Sequence, residues 1–427
     1  MALQLTAVAV DPALLLVPWD RPLEQWTDEH TVALPRGISR HVVRFVRVSD
    51  VVYAVKEIPE RIATKEFRLL GEMERSGIPA VDPVGVVTGR VAADGEELTA
   101  ALITRHLPFS LPYRVLFSAR PTEGTADRLI SALVVLLARL HLAGFMWGDC
   151  SLSNTLFRRD AGLLEAYLVD AETSEHHETV SAGQRAWDLE LATMNCTGEL
   201  LDLQAGGLLP NGDPIELGSQ IQQRYEQLWA ALTEPLAVGE HEVWRIQERV
   251  RQIQDLGFDV AEVSMARTDA EGERLVVMQP LVVASGHHYR RLLGLTGLSA
   301  GENQARRLLA DFDQFRAEQV ASVTEQEAAG LWLTQRYQPL LAAVPDELRA
   351  RLELPEIFHE ALEHRWYLSQ ADGRDVPWEE AVARYVAEIL AQKPEEIMGT
   401  AAGSEAADGG SAAAVQPGAT NGAVGAG

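Results

Sequence analysis

The stretch Trp147-Gly148-Asp149-Cys150-Ser151-Leu152-Ser153-Asn154 decides how this chain is read. It follows a long apolar run, Ala126 to Ala143 closed by Gly144, and precedes a short strand-like run, Thr155 to Arg158. An Asp followed five residues later by an Asn on one tight loop can aim a carboxylate at a nucleophile and an amide oxygen at a metal. Phosphoryl transfer asks for that combination: in-line positioning, a divalent cation, and a group that orients the attacking hydroxyl. The chain holds only five Asn in 427 residues, which makes the spacing uncommon by chance. Alone, the pair still specifies little.

Three further pieces lie outward from it. Downstream, Tyr167-Leu168-Val169-Asp170 is an apolar strand ending in Asp, where a carboxylate can hold magnesium bridging terminal phosphates. A strand-end Asp that merely caps a turn is the commoner case. Upstream, Val52-Tyr53-Ala54-Val55-Lys56 places a Lys at an alternating strand position, from which it can reach phosphate oxygens in a cleft. Most strand lysines face solvent instead. Ten residues on, Glu66 sits in a helix predicted from about Ala63 to Arg75, within reach of that Lys. Lys, Glu, Asp, Asn and Asp thus follow in order, each on the element type that the chemistry needs.

The flanking pattern agrees. Val42 to Val48 and Val51 to Ile58 read as a hairpin about Ser49-Asp50, and Val84 to Val87 and Leu98 to Thr104 as a second strand pair. After about Leu107 the pattern turns helical. A strand-rich lobe therefore precedes a helical one.

With these residues in place the chain resembles the protein-kinase-like enzymes. Tyr53-Ala54-Val55-Lys56 is similar to the third-strand Val-Ala-Ile-Lys motif, and Glu66-Phe67-Arg68-Leu69-Leu70 to the helix that carries its Glu partner. Leu140-His141 stands eight residues before Asp149, as in the family's catalytic-loop helix. The resemblance implies Asp149 as the catalytic carboxylate, Asn154 and Asp170 as metal ligands, and ATP with Mg2+ as cofactors. It also implies that Ala54 and Leu156 sandwich the adenine, that Thr104, Arg105 and His106 form the hinge, and that Gly37 belongs to the phosphate-covering loop.

The departures narrow the class. Pro35-Arg36-Gly37-Ile38-Ser39-Arg40-His41 carries one Gly where the family has three, leaving phosphate cover to Arg36 and Arg40. Gly148 precedes Asp149, Ser151 replaces a Lys, and Asp170-Ala171-Glu172 replaces Asp-Phe-Gly. These features resemble aminoglycoside- and lipopolysaccharide-kinase-like enzymes more than eukaryotic protein kinases. Over about residues 15 to 395 the chain resembles a bacterial family that joins a lipopolysaccharide-kinase-like domain to a helical C-terminal domain of unknown function. Gly286-His287-His288-Tyr289-Arg290-Arg291 and Glu356-Ile357-Phe358-His359-Glu360 carry the C-terminal part of that likeness.

The expected architecture is α+β: an irregular lead-in over 1–30, a kinase-like N-lobe over 31–107, a C-lobe core over 108–200, a mostly helical C-terminal domain over 201–395, and a disordered Ala/Gly/Ser tail over 396–427. In the C-terminal domain, Ile221, Tyr225, Leu228, Trp229 and Leu232 form one helix face, and Val243, Ile246, Val250 and Ile253 another. Val260 to Arg267 and Arg274 to Val283 suggest a hairpin. His359 and His364 are five apart, about 140° round a helix, which argues against zinc; Phe358, Leu362 and Trp366 mark a packed face there. The Gly286–Arg291 island, with Arg306 and Arg307, reads either as an anion site or as a helix start paired to nearby acids. Asp188 is expected to brace the catalytic loop or cap a helix, and Cys150 to pack.

A net charge of −25 excludes nucleic-acid binding by bulk charge. Two cysteines make no disulfide framework, and no apolar run reaches membrane-span length, so a cytoplasmic location is expected. The expected function is ATP- and Mg2+-dependent transfer of the γ-phosphate to a hydroxyl of a small-molecule or glycolipid-like acceptor. The alternative is a pseudokinase, a nucleotide-binding or scaffold module that engages a protein partner through its C-terminal domain.

Overall fold

The computed structural model describes residues 3–7, 11–27, 31–34, 40–49, 51–118, 124–209, 212–238, 245–246, 248–249, 259–268, 274–281, 287–318 and 323–396. The chain opens with strand β1 (Gln4–Ala7), followed by β2 (Val42–Val48), β3 (Val51–Ile58), helix α1 (Glu60–Arg75), β4 (Pro83–Thr88) and β5 (Ala100–Arg105). The five strands form one antiparallel sheet in the order β1-β4-β5-β3-β2. Alternation along β3 sorts its side chains. Tyr53 and Val55 pack under the lead-in, Ile58 packs with Ala63 of α1, and Ala54 and Lys56 face a cleft.

The lead-in is more than an irregular appendage. β1 pairs with β4 at the sheet edge, and Leu14, Trp19, Leu23 and Trp26 are buried against the outer sheet face. Gly85 allows this approach, because a Cβ there would lie 2.8 Å from the Thr6 carbonyl oxygen. The fully buried Arg90 stitches the two parts together: it ion-pairs with Glu57 at 2.6 Å and donates to the carbonyls of Trp19 and Arg21. A four-residue strand and apolar residues spaced by prolines carry no periodicity, so the sequence did not disclose this.

The second lobe contains β6 (Ser110–Pro112), α2 (Tyr113–Ser118), α3 (Thr125–Leu142), β7 (Phe145–Met146), β8 (Thr155–Asp160), β9 (Leu163–Leu168), β10 (Glu175–His176), α4 (Ala182–Ala205) and α5 (Pro214–Thr233). Helix α3 is apolar on most of its circumference, as suits a central helix. Ser181 and Gln184 form a capping box that starts α4. Leu217, Ile221, Tyr225, Leu228 and Leu232 of α5 join the same core as α3 and α4. This lobe's core therefore continues past residue 200, where the helical pattern gives no break. The architecture is α+β, a strand-rich lobe over a helical lobe in a protein-kinase-like arrangement.

Beyond it, β11 (Leu236–Val238), β12 (Asp259–Thr268) and β13 (Arg274–Leu281) form a small sheet containing the expected hairpin. Helices α6 (His287–Thr296), α7 (Glu302–Glu318), α8 (Glu325–Trp332), α9 (Gln338–Ala343), α10 (Leu354–Asp372) and α11 (Trp378–Glu388) enclose a separate core around Leu308, Phe312, Trp332, Phe358 and Tyr385. Trp366 is 58% exposed, contrary to the packed face expected for it. It lies eight residues after Phe358, about 80° round the helix, and Ile357, Phe358, Ala361 and Leu368 form the inward face instead. Ile246 packs against the C-lobe core, whereas Val243, Val250, Ile253 and the tail from 397 onward lie outside the described residues.

The β8–β9 turn is gripped by this C-terminal region. Asp160 accepts the backbone N–H groups of Asn303 (3.1 Å) and Gln304 (2.8 Å), capping α7 from another part of the chain. In return the buried Glu356 accepts from the N–H groups of Ala161 (2.8 Å) and Gly162 (3.3 Å). The buried Gln304 side chain bridges Glu356 and the Arg159 carbonyl. The hairpin whose two ends carry Asn154 and Asp170 is thus fixed at its turn.

Candidate active site

Strand β3 and helix α1 bring Lys56 to Glu66. Lys56 Nζ lies 3.1 Å from Glu66 Oε2, 2.7 Å from Asp170 Oδ2 and 3.8 Å from Glu172 Oε2. Burial works against the lysine's charge, and Glu66 and Asp170 outweigh it, so its pKa lies above the ordinary value. Glu66 is 1% exposed. Burial first, and then the Asp170 charge, push its pKa up to about 7 against the opposing pull of Lys56. The two directions are compatible: a nearby anion favours a charged lysine and a protonated second carboxyl. Glu66 also accepts from the Ala171 N–H at 3.3 Å, which ties α1 to the segment after Asp170.

The loop from Trp147 to Asn154 is held from below by α4. The fully buried Asp188 accepts from the N–H groups of Trp147 and Gly148, each at 2.7 Å. It also lies 3.0 Å from His141 Nε2, whose Nδ1 is 2.6 Å from the Tyr225 hydroxyl. Glu199 accepts from the N–H groups of Leu152 (2.6 Å) and Ser153 (3.0 Å), and Ser153 Oγ also donates to it. Gly148 adopts φ 78°, and a Cβ there would lie 3.2 Å from the Thr173 carbonyl oxygen. The Gly-Asp dipeptide is therefore a backbone requirement. Cys150 is fully buried beside Cys196, a packing role in which burial raises its thiol pKa well above the ordinary value.

Above this scaffold, Asn154 Nδ2 donates to Asp149 O (3.0 Å) and Oδ2 (3.3 Å). Asn195 of α4 donates to Asp149 Oδ1 at 3.3 Å, and Arg40 reaches Oδ2 at 3.3 Å. His41 lies 3.0 Å from Glu172. Asn195 and Glu199 carried no sequence signal as site residues, since each is an ordinary polar residue of a helix and stands in no motif. Asp188 braces the loop, as expected.

Both halves face one cleft of about 510 Å³. Lys56, Asp149, Asn154 and Asp170 line it, together with Ala54, Leu156, Thr104, Arg105 and His106. Glu66 sits behind Lys56. Gly37 lies outside the described residues. In the segment expected to form the hinge, the N–H groups of Arg105 and His106 go to the carbonyls of Asp82 and Val52.

The donor set fits a hard cation. With its Nδ2 directed to Asp149, Asn154 keeps its amide oxygen as a donor, and Asp170 supplies a carboxylate. Among the described residues no cluster of three or more His, Cys, Asp or Glu forms an all-protein cage. A cation shared with substrate phosphates needs only one or two carboxylates. In the C-terminal region, Arg291 of the basic island ion-pairs with Asp313 and Glu325, each at 2.8 Å, and Gly286 lies outside the described residues. Among the described residues no helix is long and apolar enough to cross a membrane.

No curated protein matches the sequence significantly. A solved structure described as WaaP in complex with acyl carrier protein aligns with 54% of this chain and 100% of its own, at 17% identity and a TM-score of 0.32. Residues 44–198 match the family model of the lipopolysaccharide kinase (Kdo/WaaP) family, and residues 227–390 match that of the domain of unknown function DUF4032. The chain thus carries, in order, a segment that matches the lipopolysaccharide kinase (Kdo/WaaP) family and a segment that matches DUF4032.

Proposed function

We propose that this protein is an ATP- and Mg2+-dependent phosphotransferase that moves the γ-phosphate to a hydroxyl of a sugar- or glycolipid-like acceptor. The observation that carries the reading is the convergence of Lys56, Asp149, Asn154 and Asp170 on one cleft, with Glu66 held behind Lys56 at 3.1 Å. The kinase family matched over 44–198 supports the same reaction class.

In this reading Ala54 and Leu156 sandwich the adenine. Its polar edge meets the Leu107 N–H, for which no acceptor stands among the described residues. Lys56 holds phosphate oxygens, and Glu66 keeps its ammonium aimed. Asn154 and Asp170 hold the cation, which when bound neutralises charge between the terminal phosphates. Asp149 orients the acceptor hydroxyl and takes its proton as the oxygen attacks phosphorus. Arg40 now occupies Asp149 Oδ2 and has to yield to the acceptor; from there it can turn to the transferred phosphoryl group. That same contact favours the second reading, a pseudokinase that binds nucleotide without turnover.

The test is thermal unfolding with ATP, with and without magnesium. A ligand at 100 times its Kd stabilises by about 2.7 kcal/mol. The proposal expects a rise in Tm that needs both ATP and metal and is lost in Lys56→Met. Absence of any shift across metals and nucleotides would refute it. A shift without transfer to any acceptor would leave the pseudokinase reading in its place.

A further inference from the structure

The C-terminal region reaches the cleft itself. Glu396, 240 residues after Leu156 in sequence, lines the cleft together with Ser110, Leu111, Pro112 and Leu156. Its position is built. Glu396 N–H donates to the Ala350 carbonyl at 3.0 Å. Arg351 Nη1 donates to the carbonyls of Leu390 (3.3 Å) and Lys393 (2.6 Å), and Lys393 Nζ bonds Glu360 at 2.7 Å. Glu396 is 6% exposed, and its Oε1 accepts from Arg159 Nε on β8. No donor meets Oε2 among the described residues.

A carboxylate oxygen without a donor, in a largely buried side chain lining a cleft, asks for a ligand hydrogen-bond donor. If the cleft holds a nucleotide, the choice is short. Phosphates at neutral pH are anionic acceptors, which Glu396 repels, and they belong with Lys56. The adenine presents its amine to the hinge at Thr104 to Leu107. The donors that remain are the ribose hydroxyls.

We propose that Glu396 completes the nucleotide cleft and recognises the ribose 2′- or 3′-hydroxyl, so that the C-terminal region is a working part of the nucleotide site. This rests on the nucleotide reading above. It assigns the C-terminal region a task in specificity: selection of ribonucleotides over deoxynucleotides through a residue delivered from outside the two kinase-like lobes. Arg159 positions the carboxylate through its Nε hydrogen bond.

The test uses the full-length protein and displacement of a fluorescent nucleotide by ATP, 2′-deoxyATP and 3′-deoxyATP, all with magnesium. A hydrogen bond to a charged group is expected to give the wild type at least about a tenfold preference for ATP over one of the two deoxy forms. In Glu396→Ala the preference should fall to near one, because ATP binds more weakly while that deoxy form binds as before. Glu396→Gln, which still accepts a hydrogen bond and preserves shape, should keep part of it and guards against a folding defect in the alanine variant. Equal binding of all three nucleotides by the wild type, or an unchanged ratio in Glu396→Ala, would overturn the proposal while leaving the nucleotide reading intact. Failure of the wild type to bind any of the three would overturn both.

Discussion

Replacing Asp188 with Ala should collapse the loop that carries Asp149 and Asn154. In the native structure the Asp188 carboxylate is completely buried and takes the N–H groups of Trp147 and Gly148 at 2.7 Å and the His141 ring at 3.0 Å. Alanine strands two backbone donors, one buried and one partly buried, and one imidazole N–H. Each stranded group costs about 1–3 kcal/mol. Partial relaxation of the loop and non-additivity among neighbours reduce the total, leaving about 4 kcal/mol, a large part of the roughly 5–15 kcal/mol that holds a domain together. Asp188→Asn is the sharper variant. It keeps the shape and one acceptor oxygen but turns an NH2 group toward a backbone donor, and about half the loss is expected. Urea unfolding followed by tryptophan fluorescence measures both, because Trp147 is itself buried at the loop. The same samples should show weaker magnesium-dependent ATP binding, since Asn154 is carried by the loop and Asp170 is tied to it through the Trp147 indole N–H at 3.1 Å. Should Asp188→Ala unfold within 1 kcal/mol of the wild type, the bracing role assigned here would be wrong, whatever happened to activity.

Three further outcomes follow from the same geometry. Arg90→Ala leaves Glu57 without its buried cation and frees the carbonyls of Trp19 and Arg21, so a loss of about 3–5 kcal/mol and early proteolysis within residues 1–30 are expected. Lys56→Met removes the phosphate ligand and should weaken ATP binding by at least about tenfold while leaving the fold in place, read by displacement of a fluorescent nucleotide. Glu66 gives a pH signature. Its folded pKa is raised to about 7, from about 4.5 in a free carboxyl, so the folded state holds this proton more tightly than the unfolded chain. That contribution to stability is fully present below about pH 4.5 and is lost as pH rises to about 7, by at most about 1.4 kcal/mol per pH unit. The difference in stability between wild type and Glu66→Gln should therefore change across this window and be flat above it; a constant difference would refute the assignment.

Much of this architecture was legible because the deciding signals were local. The strands at Val42–Val48 and Val51–Ile58 and the helix at Thr125–Leu142 show in β-branched alternation and an apolar run. Lys56, Asp149, Asn154 and Asp170 stand within recognisable short motifs, and they share one cleft. What stayed hidden depends on contacts between distant segments. Asn195 and Glu199 are ordinary polar residues of α4 until its packing carries them under the loop from Trp147 to Asn154. Asp160 reads as a turn residue, although it caps a helix more than 140 residues away. Burial there raises its pKa to about 7, with Glu165 acting in the same direction. Trp19 and Trp26 sit among prolines that mark the segment as irregular, yet they cover the outer face of the sheet. Glu396 falls at the edge of an Ala/Gly/Ser-rich tail, where nothing in the sequence points to the cleft.

The central claim is phosphoryl transfer, and labelled ATP tests it most directly. The purified chain would be incubated with γ-labelled ATP, magnesium and separate polar-metabolite and glycolipid extracts, in parallel with Asp149→Asn. The account predicts a labelled, hydroxyl-phosphorylated product from the wild type. It also predicts a loss of at least about a hundredfold in Asp149→Asn, in line with the loss of a general base, with ATP binding retained. Transfer at an undiminished rate in Asp149→Asn would contradict the role assigned to this carboxylate, and absence of labelled product in every fraction with the wild type bound to ATP would contradict the catalytic claim itself.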